Sequence, residues 1–365
     1  MKILRISRTY PNIKQRTIGL QTFEISKHSE YHSIIFSKKS KFLPIRDKKI
    51  TNFEIDYKEY GLSKNYNLLQ YFWSIITKFY ANLKFYKEIS QRVNFNKVKL
   101  IHIHNLNFLL CGFLLKKKFN KKIYLSIGGT DILRLKNKFL FGILIKKTEK
   151  IFSVSNDLKK KFIKIYPNSK CYYISNGVDL EYFKFKKLKK KNVLLAVGNI
   201  RWQKNYSLLI ETAEKIFKKN SLYKLIICGN FNEKDEYNKI KNLIAEKKLQ
   251  KKIILKGFQK IASIKELYYK SKILVLSSSS EGLPKVILEA ISCGTPVVST
   301  DVGDNKIILK NCGIVIRSNN SEKLYLAINK IINSKRIYRK LITKCYKERL
   351  NYDWKKIAQN IHKQY

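Results

Sequence analysis

Glu281 and Glu289, with seven residues between them, stand within SSSSEGLPKVILEAISCGTPVVST, residues 277–300. An ionised carboxylate only accepts hydrogen bonds, and its two oxygens suit the vicinal hydroxyls of a ribose or a sugar ring. Glu281 lies in a polar loop. Pro284 suits the first turn of a helix, where its fixed φ helps and its missing N–H is not needed. Val286, Ile287, Ala290 and Ile291 then make an apolar face, while Lys285 and Glu289, four apart, share the other. The loop and first turn, Gly282, Leu283, Pro284 and Lys285, bring backbone N–H groups and the positive end of the helix dipole together, which suits a phosphate. An anion cradle between two carboxylates reads as a site for a sugar nucleotide. On residue types alone, two solvated surface glutamates are the commoner explanation of such a pair.

The elements that must position this segment are short apolar runs ending in small residues. In the second half these are Asn192–Gly198, Leu225–Gly229, Ile253–Gly257, Ile273–Ser277 and Pro296–Ser299. Their β-branched content fits strands buried on both faces. Helical spacing separates them, as at Leu208, Leu209, Thr212, Ala213 and Ile216, so the pattern predicts a parallel, doubly wound α/β sheet. The first half repeats this with Lys2–Ile6, Ser33–Phe36, Leu100–Ile103, Ile123–Ile127 and Ile151–Val154. A long helix is expected over 66–92, with Leu69, Phe72, Trp73, Ile76, Phe79, Tyr80 and Leu83 at helical spacing. The run FKFKKLKKK at 183–191 reads as a linker. The expected organisation is therefore an N-terminal Rossmann-like domain over 1–182, a linker, a C-terminal Rossmann-like domain over 192–345, and a final helix in 346–365 crossing back to the first domain. Ligands of open α/β sheets bind beyond the C-terminal strand ends.

At 365 residues the chain has room for two ordinary domains. Its charge is +50, from 76 Lys and Arg against 26 Asp and Glu. The excess is spread over the chain, since residues 1–180 carry 36 basic and 11 acidic residues and residues 181–365 carry 40 and 15. Only 11 of the basic residues are Arg. A reader of bases leans on Arg, so no nucleic-acid partner is expected. Richness in Lys, Ile and Asn fits an A+T-biased bacterial genome, and the field it produces suits an anionic membrane surface. The 6 cysteines form no C-x-x-C pair and no zinc spacing. Several sit in apolar runs as small hydrophobes, which suggests a reducing cytoplasm. The N-terminus does not read as a signal peptide, and no uncharged stretch reaches the ~18 residues of a bilayer span.

E-G-L-P-K-V-I-L-E followed by A-x-x-x-G-T-P-V-V closely resembles the E-x(7)-E signature of family 4 retaining glycosyltransferases of the GT-B fold. Ser175-Asn176-Gly177-Val178-Asp179, Ala196 to Asn205 (AVGNIRWQKN) and Asp301-Val302-Gly303-Asp304-Asn305 resemble further family motifs, in family order. The resemblance runs from Lys2 to about Trp354 and is densest in the second half. It implies two facing Rossmann-like domains with a cleft between them. It implies that Glu281 contacts the transferred sugar, that Glu289 binds the nucleotide ribose, and that Lys204 grips the diphosphate. Where the family often carries Arg, this chain has Asn199, with Arg201 two residues later as the candidate substitute. Gly19 is what remains of a glycine-rich phosphate loop. In Ser126-Ile127-Gly128-Gly129-Thr130-Asp131 the family's His is replaced by Gly128. His102 and His104 end a strand; alternation was expected to turn one of them inward, and His104 resembles the family's cleft-facing His.

The resemblance also implies transfer from a nucleoside-diphosphate sugar, UDP-linked above all, to a hydroxyl of a glycan or glycolipid acceptor, as in bacterial polysaccharide, capsule or lipopolysaccharide assembly. No D-x-D motif occurs, and no metal or other cofactor is expected. Two alternatives share the architecture: a nucleotide-sugar 2-epimerase, and a non-catalytic glycan- or membrane-binding subunit.

Overall fold

The apolar runs form strands that are buried on both faces. The computed structural model describes every residue except 13–18, 59–66, 129–137, 232 and 318. Two units divide the chain: Met1–Ser175 with Trp354–Tyr365, and Asn176–Asp353.

The first unit runs β1 (Lys2–Ile6), α1 (Leu20–Lys27), β2 (His32–Lys38), β3 (Ile50–Ile55), α2 (Leu68–Arg92), β4 (Val98–Ile103), α3 (Leu109–Phe119), β5 (Lys122–Ile127), α4 (Lys138–Lys146), β6 (Lys150–Ser153), α5 (Asn156–Ile165) and β7 (Cys171–Tyr173). Its seven strands are all parallel, in the order β3-β2-β1-β4-β5-β6-β7. Side chains alternate across the sheet. Leu4, Ile6, Ile101, Ile103 and Leu125 enter one core, and Ile3, Leu100, Tyr124 and Phe152 enter another on the opposite face.

The second unit runs β8 (Lys191–Val197), α6 (Tyr206–Lys219), β9 (Lys224–Cys228), α7 (Lys234–Glu246), β10 (Ile253–Leu255), α8 (Ile261–Lys270), β11 (Ser271–Leu276), α9 (Lys285–Ser292), β12 (Val297–Thr300), α10 (Asn305–Ile308), β13 (Gly313–Ile316), α11 (Ser321–Ile332) and α12 (Lys335–Glu348). Its six strands are parallel in the order β10-β9-β8-β11-β12-β13. Leu194, Ile227, Ile273 and Val298 face one core; Leu195, Ile226, Leu274 and Val297 face the other. In both units the strand order reverses beside the first strand, at β1/β4 and at β8/β11. Loops leaving these four strands therefore part to opposite sides and open a crevice at the C-terminal strand ends.

The boundaries differ from those expected. The division falls before Asn176, not after residue 182. The Val178 N–H donates to the Tyr352 carbonyl at 2.7 Å, and Phe183 is buried in a core of the second unit. Residues 183–191 are not a free tether, since Lys190 Nζ donates to the Tyr268 carbonyl at 2.9 Å and to Thr295 Oγ1 at 2.8 Å. Burial lowers that ammonium to about 8. The return to the first unit starts at Trp354, not 346. There α13 (Trp354–His362) seats Trp354, Ile357 and Ile361 against Ile3, Ile25 and Leu100. The expected 66–92 helix is α2, started by a capping box in which Asn67 Oδ1 accepts from the Gln70 N–H.

Candidate functional site

Two loops leave the switch point of the second unit. The loop after β8 carries Gly198 to Asn205 and includes one 3₁₀ turn, Trp202–Lys204. Asn205 adopts the left-handed conformation that asparagine tolerates, and α6 follows directly. The loop after β11 carries Ser277 to Pro284 and leads into α9. Main-chain and side-chain bonds hold the loops together: the Ser279 N–H donates to the Gln203 carbonyl at 2.7 Å, and Ser277 Oγ to the Lys204 carbonyl at 2.9 Å.

This clamp brings Lys204 and Glu281 together. Lys204 Nζ donates to Glu281 Oε1 at 2.5 Å, and Ser278 Oγ donates to the same oxygen at 2.8 Å. The pair is mostly shielded, with side chains 23% and 14% exposed. A third loop braces it from behind. Gly303 has φ +55°, and a Cβ there would sit 2.4 Å from the Gly282 carbonyl oxygen and 2.5 Å from that of Glu281. Only glycine lets the two backbones approach this closely, and the Asp304 N–H donates to the Gly282 carbonyl at 3.1 Å.

Pro284 is the N-cap of α9 rather than its first residue, with φ −72° and ψ 114°. Leu283 and Pro284 are buried, and Gly282 and Lys285 are half-buried. Glu289 sits one turn into α9 on different support: Tyr268 Oη donates to its Oε2 at 2.8 Å. Burial raises the Glu289 carboxyl, which the Tyr268 bond and the Lys285 charge partly offset; burial also lowers Lys285. Glu281 and Glu289 thus occupy distinct surroundings, one bonded to a cation and one to a phenol.

Asn199 does not face outward as a free ligand, because its Oδ1 accepts from the Asn230 N–H at 3.2 Å and ties the β8 loop to the β9 loop. Arg201 is exposed, with Nε 4.0 Å from Glu233 Oε1. In the N-G-V-D segment, Asp179 Oδ1 accepts from the N–H groups of Glu181 and Tyr182 at 3.0 and 2.9 Å, so it anchors a turn.

In the first unit, Gly19 caps α1 at φ +69°, and a Cβ there would lie 2.5 Å from the Thr9 carbonyl oxygen. His104 follows β4, its N–H bonded to the Ile6 carbonyl at 2.8 Å. The expectation that only one of His102 and His104 turns inward is corrected: residues two apart on a strand share a face, and their ring centroids lie 4.0 Å apart. Both imidazoles are within hydrogen-bond distance of Arg5 Nη1, at 3.0 Å for His102 Nδ1 and 3.3 Å for His104 Nε2. His104 Nδ1 is buried and has no hydrogen-bond partner among the described residues. Burial and Arg5 hold His104 well below the usual imidazole range. Gly129, Thr130 and Asp131 lie outside the described residues.

Residues 178–348 match the family described as Glycosyl transferases group 1, and residues 53–182 match Glycosyltransferase Family 4. Together the two matches span well over half of the chain. The chain is a family 4 glycosyltransferase.

This glycosyltransferase has GT-B architecture. It is similar in structure to HepE of Anabaena, solved in complex with UDP, with a TM-score of 0.78 at 16% identity, covering 100% of this chain and 99% of that one. An uncharacterised glycosyltransferase of Methanocaldococcus jannaschii is 28% identical over 78% of this chain and 82% of its own. The N-acetylgalactosamine-N,N'-diacetylbacillosaminyl-diphospho-undecaprenol 4-alpha-N-acetylgalactosaminyltransferase of Campylobacter jejuni is 28% identical over 62% of each chain. Three supports of the candidate site residues were missed in the sequence: Ser278 and Tyr268 in the second unit, and Arg5 in the first. Ser278 is one of four consecutive serines, Tyr268 reads as core, and Arg5 stands alone in an apolar strand.

Proposed function

We propose that this glycosyltransferase moves a hexosyl or N-acetylhexosaminyl group, with retention, from a UDP-sugar to a hydroxyl of a lipid-linked glycan in bacterial surface polysaccharide synthesis. The observation that carries the reading is the Lys204–Glu281 pair at the β8/β11 switch point, with Glu289 one turn into the adjoining helix. As the bond from the sugar to the diphosphate breaks, negative charge grows on the leaving oxygen, and a fixed ammonium beside it lowers that energy. Lys204, the first-turn backbone of α9 and Lys285 supply this neutralisation from the protein, without a metal. The acceptor oxygen bonds to the sugar carbon from the face the diphosphate leaves, and its proton passes to the departing phosphate. No carboxylate nucleophile is required. Glu281 is then the acceptor for hydroxyls of the sugar and Glu289 for those of the ribose. Arg201 and Gly19 are proposed as phosphate contacts and His104 as a sugar contact.

The diphospho-undecaprenol named for the Campylobacter relative supports a lipid-linked acceptor. No helix among the described residues is long and apolar enough to cross a membrane. We place the protein in the cytoplasm, held peripherally at the inner face of the cell membrane.

Incubation with pooled UDP-, GDP- and ADP-sugars and a bacterial membrane extract, read by mass spectrometry, tests the reaction. A sugar-extended lipid from the UDP donor is expected, with no donor turnover when the acceptor is left out. Turnover without acceptor would favour the epimerase, and no turnover in either arm the non-catalytic subunit.

Glu289→Ala is expected to weaken UDP binding at least tenfold, since a hydrogen bond to a charged group is worth about 1.5–3 kcal/mol. Tyr268→Phe removes one orienting bond and should cost only a few-fold. Calorimetry with UDP reads both, and unchanged affinity in Glu289→Ala would remove the ribose role.

A further inference from the structure

A surface helix normally turns its apolar stripe inward and its polar face to water. Over its first four turns α2 does the reverse. Its buried positions there are Ser74, Ala81 and Asn82. Asn82 makes polar contacts inward, donating to the Asn107 carbonyl at 2.8 Å and accepting from the Cys111 N–H at 2.9 Å. The outward positions are Phe72, Trp73, Ile76, Phe79, Tyr80 and Leu83, from 40% to 59% exposed. At 100° per residue these six fall on one arc of about 120°, and along the axis they extend about 16 Å. Only from Phe85 and Ile89, both 0% exposed, does the helix bury large apolar side chains. Large side chains of roughly 150–250 Å² each, half-exposed, present about 500 Å², more than scattered surface apolars account for.

The border of this stripe is cationic. Lys84 lies at its edge and Lys87 one turn beyond its C-terminal end, and Glu88 is the first acidic residue of the helix. We infer that the outward face of α2 is a docking surface for an anionic lipid bilayer, an inference that rests on the lipid-linked acceptor proposed above. A bilayer of this kind supplies both things the face lacks: an apolar layer for the stripe and negative potential for the lysines. A second copy of the chain brings the same +50 charge and repels it. Trp and Tyr flanked by Lys are the side chains that settle at the level of lipid headgroups. The helix lies in the surface rather than through it, since no described helix is apolar enough to span.

The test is co-sedimentation of the full chain with vesicles of equal parts phosphatidylglycerol and phosphatidylcholine. Binding that charge alone provides should vanish in about 1 M salt, where the Debye length is about 3 Å. Wild type is expected to keep a salt-resistant fraction. The combined variant Phe72→Ser, Trp73→Ser, Ile76→Ser should lose that fraction at least tenfold while its melting curve and UDP affinity stay unchanged. Lys84→Gln with Lys87→Gln should weaken binding only at low salt. In a Trp202→Phe background, bromine-labelled lipid should quench Trp73, since Trp354 is buried at 1% exposure. Vesicle binding by the triple variant equal to wild type, or no quenching of Trp73, would overturn the inference. So would a wild-type dimer that the triple variant converts to monomer, which would make the face a contact between copies. UDP calorimetry keeps the two readings apart. UDP binding without α2-dependent vesicle binding removes this surface alone, and vesicle binding without UDP binding removes the donor reading alone.

Discussion

Glu281→Ala is expected to lower kcat/KM for transfer about a hundredfold or more while leaving the fold and UDP affinity nearly intact. Glu281 Oε1 accepts from both Lys204 Nζ and Ser278 Oγ. Removing the carboxylate therefore deletes the acceptor proposed for the sugar hydroxyls and leaves two donors to find new partners. A charged hydrogen bond contributes about 1.5–3 kcal/mol, and groups that act where charge develops in the transition state are worth 10²–10³ in rate when deleted. Glu281→Gln keeps an acceptor oxygen for the lysine but loses the charge, so it should fall between wild type and alanine. The diagnostic is the split between kcat and KM. A loss confined to kcat places the contact in the transition state, and an equal rise in KM for the donor makes it a ground-state contact. Wild-type turnover by folded Glu281→Ala would remove the residue from the site. Lys204→Ala should fail differently, weakening UDP more than uridine, because only the former carries phosphates.

The central strands were legible because burial on both faces leaves a continuous apolar run, as in β4 (VKLIHI) and β11 (SKILVL). The strands that the sequence did not announce are β3, β7 and β13, and all three are edge strands. ITNFEI of β3 mixes polar residues with half-exposed ones because one neighbour is missing, so the run is broken. CYY of β7 is three residues long. The domain boundary was misplaced for a related reason: a run of lysines reads as solvated linker, yet Lys190 reaches carbonyl and hydroxyl acceptors inside the second unit. At the site, local sequence marked Glu281, Glu289 and Lys204. It carried no sign that Lys204 and Glu281, 77 residues apart, meet, nor that Tyr268 holds Glu289. The first contact depends on β8 and β11 being neighbours and the second on α8 packing beside α9, properties of topology and not of any one segment.

The first unit should lose stability steeply between pH 7.5 and pH 5. Arg5 is 0% exposed inside the sheet. Around it stand His102 from β4, His104 just after it, and His362 and Tyr365 from the C-terminal segment. The imidazoles are held neutral by burial first and by positive neighbours second: Arg5, His104 and His362 act on His102, Arg5 on His104, and Arg5 with Lys49 on His362. His102 and His104 lie well below 6.5, and His362 is lowered to about 3. A depressed folded-state value means that the unfolded chain takes up protons the fold refuses. Stability is therefore fully present above pH 6.5 and falls as the pH drops toward the folded values. At pH 5 each imidazole that stays neutral costs the fold roughly 2 kcal/mol. His362, lowered to about 3, should contribute that alone, and His102 and His104 act in the same direction. For a domain of this size 1 kcal/mol is worth about 2–4 °C, so Tm should fall by at least about 4 °C across this range, above the pH at which ordinary carboxylates titrate. Thermal unfolding of the full chain at a series of pH values measures it, with His362→Asn expected to flatten the dependence. A Tm that is level from pH 7.5 to 5, or a slope the variant does not change, would mean that these imidazoles accept protons in the folded chain and that the Arg5 cluster opens to water.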